Sequence, residues 1–231
     1  MEQETLIILK DAYETVRMYF MMLHLGSFYS NFSRQENLSL RARTIAISAD
    51  LSKPEKKYYC DGYFIRDLLQ EIYINAHKVD LFNQLVLNNS IRGVAMSIFE
   101  ALNNKDIKDL FTKSFFNGDE SKFSDFQKIV RFIRNTLSHN IRDRIEIRRE
   151  DMTYKGNVTY KGVVKFQYNY SDFPVLLPIP YSVDIEVDFD KIQDGETYTD
   201  VISEYETLLF VELVHNFLFF LKNQLQIPSA L

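Results

Sequence analysis

The hydrophobic pattern of this chain changes period partway along, and the change limits the folds open to it. In several segments between Leu6 and Leu137 apolar residues return every three or four positions, the spacing of helices that bury one stripe. Between Val158 and Phe189 they return every second position, the spacing of strands with one buried face. From Val201 the helical spacing resumes. Helices, then a short run of strands, then a closing helix predict a mainly α chain: a helical bundle with a small antiparallel β insertion before the C-terminal helix.

In the first helical segment Leu6, Leu9, Tyr13, Val16, Phe20 and Leu23 form an a/d-like seam. Gly26 and the polar run from Asn31 to Asn37 are expected to close it. Residues 48–61, with Ser48, Ser52, Pro54 and three lysines, read as a loop. A second helix carries Ile65, Leu68, Leu69, Ile72, Ala76 and Val79 on one face. A third is expected from Ile91 to Leu102, with Val94, Ala95, Ile98 and Leu102 inward, bounded by Asn88-Asn89-Ser90 and Asn103-Asn104. A shorter helix spans Asp106 to Phe116 and stops at Asn117-Gly118. Ser124 is the expected cap of the next, whose stripe is Phe126, Ile129, Ile133 and Leu137.

In the strand region Val158, Tyr160, Gly162, Val164, Phe166, Tyr168 and Tyr170 alternate with polar or lysine positions. Val183, Ile185, Val187 and Phe189 alternate with carboxylates. Lysines on one strand and carboxylates on the other suit an antiparallel ladder. Ile145 and Ile147 are candidates for a third strand, and Pro174, Pro178 and Pro180 mark the connection. Thr197 and Asp200 have capping-box-like spacing before the last helix, which is apolar nearly all round and so is expected to be central. One domain is expected, with a helical core of about 1–144 and 197–223 and an insertion of about 145–190. There are no internal repeats and no low-complexity tract.

Hydrophobic residues make up 46% of the 231, enough for a packed core. Cys60 is the only cysteine, so no internal disulfide can form, and no Cys/His spacing suits a metal. The N-terminus lacks the basic start of a signal peptide. The most apolar segment, Leu208 to Leu221, has 14 residues and contains Glu212, His215 and Asn216, too short and too polar to span a membrane. A cytoplasmic protein without membrane contact is expected. The net charge of −5 excludes a bulk, strongly basic nucleic-acid binder. The charge is uneven, however. From Lys128 to Arg149 seven basic residues face only Asp143 and Glu146, a local excess of five positive charges. Such an island attracts a polyanion to one place; the plainer account is a solvated face paired with acidic neighbours.

The island holds the run Arg131-Phe132-Ile133-Arg134-Asn135-Thr136-Leu137-Ser138-His139. Arginine is always charged and shaped to grip phosphate. Histidine is the side chain best able to move protons near neutral pH. Arg134-Asn135 followed by His139 resembles the signature of the HEPN superfamily, an arginine, a polar residue, a few residues and a histidine late in a helical bundle. The family often has a small residue after the histidine; here it is Asn140. The resemblance covers the helical core and leaves the β insertion unexplained. It implies a homodimer that cleaves RNA without metal or cofactor, as a toxin or in defence, with an antitoxin protein as a further partner. It also implies Arg134, Asn135 and His139 as catalytic residues. The surrounding Lys128, Arg131, Arg142 and Arg144 are the candidate RNA contacts.

Helical geometry adds a constraint. Five residues turn a helix by about 500°, so Arg134 and His139 diverge by about 140° on an unbroken one. Either the helix breaks between them or a second subunit completes the site. Two other readings stand beside the enzyme: a non-catalytic relative binding RNA, a nucleotide or a protein, and a helical protein-interaction domain. Glu212 and His215 have the i, i+3 spacing of bundle metal ligands, but no second Glu-x-x-His exists, so a buried polar pair is expected there. His24 and His77 are expected to be structural.

Overall fold

The computed structural model describes residues 3–33, 44–48, 57–61, 76–139, 145–154, 158–169 and 182–227, and of residues 24–33, 44–48, 57–61, 76–83, 139, 154 and 158–159 the backbone only. The described elements are mainly helical. In chain order they are α1 (Gln3–Ser33), β1 (Thr44–Ser48), β2 (Lys57–Asp61), α2 (Ala76–Ala101), α3 (Lys105–Phe116) and α4 (Glu120–His139). A 3-10 turn (Arg149–Met152), β3 (Thr153–Tyr154), β4 (Val158–Thr159), β5 (Val163–Asn169) and β6 (Ser182–Asp188) follow. The chain ends with α5 (Tyr198–Val201) and α6 (Glu204–Gln224). It divides into two compact units, one of Met1–Met22 with Asn88–Leu231 and one of Leu23–Leu87.

In the smaller unit β1 and β2 pair antiparallel from Thr44↔Asp61 to Ser48↔Lys57. Residues 57–61, expected in a loop, are therefore strand. The charged ends of Lys-Tyr-Tyr-Cys-Asp and its adjacent tyrosines hide the alternation that marks β5 and β6. The expected helix face from Ile65 to Ile72 lies outside the described residues.

The larger unit is built on aromatic packing. Phe111, Phe123, Phe126, Phe166, Phe210 and Phe217 are fully buried. Phe115 stacks on Phe217 at 4.1 Å, and Phe126 meets Phe166 at 5.3 Å and Phe210 at 5.6 Å. Each such ring contributes about 1.5–3 kcal/mol by leaving water. The β5–β6 hairpin is part of this core. Val164, Phe166, Tyr168, Val183, Ile185 and Val187 face inward, against α4 and α6, while Lys165, Gln167, Asp184 and Glu186 face out. The register sets Lys165 opposite Glu186 (Nζ–Oε2 3.4 Å) and Gln167 opposite Asp184 (2.7 Å), the charge-matched antiparallel ladder expected from the sequence.

The alternation is not one strand from Val158 to Tyr170, because Gly162 takes φ +71°, outside strand geometry, and separates β4 from β5. Ile145 and Ile147 are buried, and their backbone pairs with the segment entering α5 (Tyr198 N to Ile145 O 2.9 Å, Ile147 N to Glu196 O 2.8 Å) rather than with β5 or β6.

Some helix ends match expectation and others differ. α1 passes Gly26 and ends at Ser33, inside the polar run expected to close it, whereas α2 runs unbroken across Asn88-Asn89-Ser90. Of these three only Ser90 is buried; Asn89 is exposed, and both asparagines continue the helix despite their capping preference. Asn104 caps α3 by accepting from the N–H groups of Asp106 and Ile107. Asn117 (φ 53°) and Gly118 (φ 78°) end it, with Gly118 N donating to Thr112 O. Asp119, not Ser124, caps α4, accepting from Ser121 N and Lys122 N. The capping box of the last helix is Ser203 with Glu206; Thr197 precedes only the short α5 and makes no side-chain cap. The central position of α6 is as expected: Leu209, Phe210, Val211, Leu213, Val214, Phe217, Leu218 and Leu221 are all buried.

Candidate functional site

Helix α4 carries the motif, and two faces of it matter. Phe126, Ile129, Val130, Phe132, Ile133, Thr136 and Leu137 are buried and anchor the helix. Arg131 and Arg134, one turn apart, are left half-buried at its edge. Both guanidinium groups lie over the ring of Phe99 on α2, Arg131 at 5.3 Å and Arg134 at 5.2 Å from its centroid. A cation over an aromatic face gains about 0.5–2 kcal/mol, depending on how far it is desolvated. One ring thus serves two like charges.

Each arginine has a further partner. Arg134 Nη1 donates to Asn135 Oδ1 at 2.9 Å. Arg131 Nη1 donates to the hydroxyl of Tyr160 at 3.3 Å. Asn135 is buried, and its amide donates to the backbone carbonyls of Asp151 (3.1 Å) and Thr153 (3.4 Å). That segment is itself fixed, because Asp151 is fully buried and its Oδ2 accepts from Arg148 N at 2.8 Å. Asn135 therefore ties the 3-10 turn of the β insertion to α4 and orients Arg134 at the same time.

Ser138 Oγ donates to Arg134 O at 2.6 Å, within an α4 that continues to His139. No break in the backbone separates Arg134 from His139, so the helix break expected between them is absent. Arg142 and Arg144 lie outside the described residues. Lys128 pairs with Asp125 at 2.9 Å.

Phe99, Tyr160 and Asp151 were not singled out by the sequence reading. Phe99 sits beside the inward stripe of its helix, and Tyr160 belongs to an alternation that reads as a buried strand face. Its position just before Gly162 leaves it half-buried beyond the strand end. His215 packs among aromatics, stacked on Phe20 at 4.5 Å. No cluster of three or more His, Cys, Asp or Glu among the described residues has metal-ligand geometry. The side chains of His24 and His77 lie outside the described residues. Among those residues no helix is long and apolar enough to cross a membrane.

No family model, no curated protein and no solved structure matches this chain.

Proposed function

We propose that the chain is a HEPN-type endoribonuclease that cleaves RNA without metal, acting as a homodimer in a toxin or defence role. The observation that carries this is the state of Arg134, half-exposed yet fixed by the Phe99 ring and Asn135 Oδ1. A guanidinium held in place before substrate arrives can stabilise charge on phosphate oxygens without first being ordered. In this scheme the RNA 2′-hydroxyl attacks the adjacent phosphorus and the bond to the 5′-oxygen breaks. A 2′,3′-cyclic phosphate and a 5′-hydroxyl result. His139 moves the proton, and Arg134 stabilises the charge that develops on phosphorus-bound oxygen. Asn135 acts as a positioning residue. Lys128, Arg131, Arg142 and Arg144 supply the positive surface that RNA would follow.

RNA cleavage with a chelator present, comparing the unaltered chain with Arg134→Ala and His139→Ala, tests this. Loss in both variants is expected, by about a hundredfold or more for the proton-transfer group. Unchanged cleavage in either variant would sink the catalytic roles. One observation favours the non-catalytic alternative, an RNA-, nucleotide- or protein-binding module: the amide of Asn135 is committed to two backbone carbonyls, a structural duty that needs no substrate. RNA binding that survives in a chain with no cleavage on any RNA would select it.

A further inference from the structure

A cavity of about 400 Å³ opens beside the motif, in the larger unit. Four separate parts of the chain line it, one of them the link between α2 and α3 with Leu102 and Asn103. Ser124, Gln127, Lys128 and Arg131 come from one face of α4, Lys108 from the first turn of α3, and Tyr160 from the link between β4 and β5. Every charged side chain on its wall is a cation. This holds in a protein of net charge −5, where an acidic neighbour is the more frequent company for a lysine. Three half-buried cations turned to one space repel each other more than they would in open water. The carboxylate that pairs with Lys128, Asp125, is not among the lining residues.

The cations are also pre-arranged. Arg131 is held by Phe99 and the Tyr160 hydroxyl, and Lys108 lies over the Phe123 ring at 5.5 Å. With Lys128 paired to Asp125, the guanidinium fork of Arg131 and the Lys108 ammonium leave two positive charges, and with neutral donors from Ser124, Gln127 and Tyr160 they match the charge and oxygen count of a phosphate dianion. A volume of 400 Å³ falls in the range of small-ligand sites. We infer that this cavity binds a terminal phosphate monoester on a group of nucleotide size. The chemistry is shared by a free nucleoside monophosphate and by the phosphorylated 5′ end of an RNA. The site does not depend on RNA cleavage by Arg134 and His139, and its test reads binding alone.

Titration of the full chain with adenosine 5′-monophosphate, with adenosine, and with a short RNA carrying a 5′-phosphate or a 5′-hydroxyl decides the matter. The monophosphate is expected to bind, adenosine at least about tenfold more weakly, and inorganic phosphate to compete. Lys108→Gln and Arg131→Gln are expected to weaken the monophosphate about tenfold each, and Lys108→Arg to retain it. Preference for the phosphorylated RNA end, displaced by the monophosphate, assigns the ligand to RNA ends. Equal binding of both RNAs with a bound monophosphate assigns it to free nucleotides. Adenosine binding as well as its monophosphate, or unchanged affinity in folded Lys108→Gln and Arg131→Gln, overturns the site.

Discussion

Asn135 shows how one side chain serves two purposes. Its oxygen accepts from Arg134, and its nitrogen donates to the carbonyls of Asp151 and Thr153. Asn135→Ala leaves those carbonyls short of a donor, at a cost of about 1–3 kcal/mol. Asn135→Asp keeps the acceptor for Arg134 but turns a charge toward two carbonyl oxygens, and is expected to cost at least as much. Urea denaturation of both variants checks this, and equal stability of all three chains would show that the staple contributes nothing. The motif itself was legible because its residues lie within one helix. Its anchors were not, because they stand 16 and 18 positions further on, across a change of secondary structure. Tyr198 offers a second test at this scale. It is buried, its hydroxyl shares a hydrogen bond with Thr207 at 3.0 Å, and burial pushes its pKa well above the usual tyrosine value. In the unfolded chain it ionises near pH 10, while in the fold it stays protonated. Its contribution is therefore complete below about pH 10 and is lost as pH rises further, at about 1.4 kcal/mol per pH unit. Tyr198→Phe should be less stable than the unaltered chain at neutral pH, by about 0.5–1.5 kcal/mol, and the gap should narrow or reverse near pH 11. A constant gap across that range would contradict this account.

At the scale of elements, periodicity was the steadier guide, while end signals were right at Asn103-Asn104 and Asn117-Gly118 and wrong at Asn88-Asn89-Ser90 and Ser124. The β5–β6 ladder, with its inward apolar residues and its outward Lys165–Glu186 and Gln167–Asp184 contacts, follows from alternation alone, because a half-buried strand has only two faces. Asn88-Asn89-Ser90 misled because capping residues also occur inside helices at only a small cost in propensity, and α2 runs through them. Gly93, near the middle of that helix, shows what packing requires there. A side chain at this position would meet the Tyr19 ring of α1. In an open helix Gly→Ala stabilises by about 1 kcal/mol. Here Gly93→Ala is expected to destabilise, since overpacking costs about 1–3 kcal/mol. In a Tyr19→Ala background the same substitution should become stabilising. The double-mutant cycle, read by thermal melting, tests the close approach of α1 and α2; additive effects would mean the two residues do not meet.

For the whole molecule, the decisive fact is the continuity of α4. A helix unbroken from Glu120 to His139 sets positions 134 and 139 about 140° apart around its axis, so the proposed ribonuclease would need a second copy to bring both residues to one phosphate. Two copies related by a two-fold axis would present each other's missing partner, as isologous contacts require. The consequence is a complementation that no single-chain site can produce. Arg134→Ala and His139→Ala chains, each inactive alone, would be unfolded together and refolded as a mixture. Half of the resulting dimers carry one of each chain, and in those one of the two sites regains an intact arginine and an intact histidine. Cleavage should return to about a quarter of the level of the unaltered dimer. Each variant must first be shown to dimerise, so that a silent mixture cannot be blamed on lost assembly. A mixture of dimers as inactive as its components would then place both residues' work within one chain, and the geometry of α4 would exclude them from acting on a common phosphate.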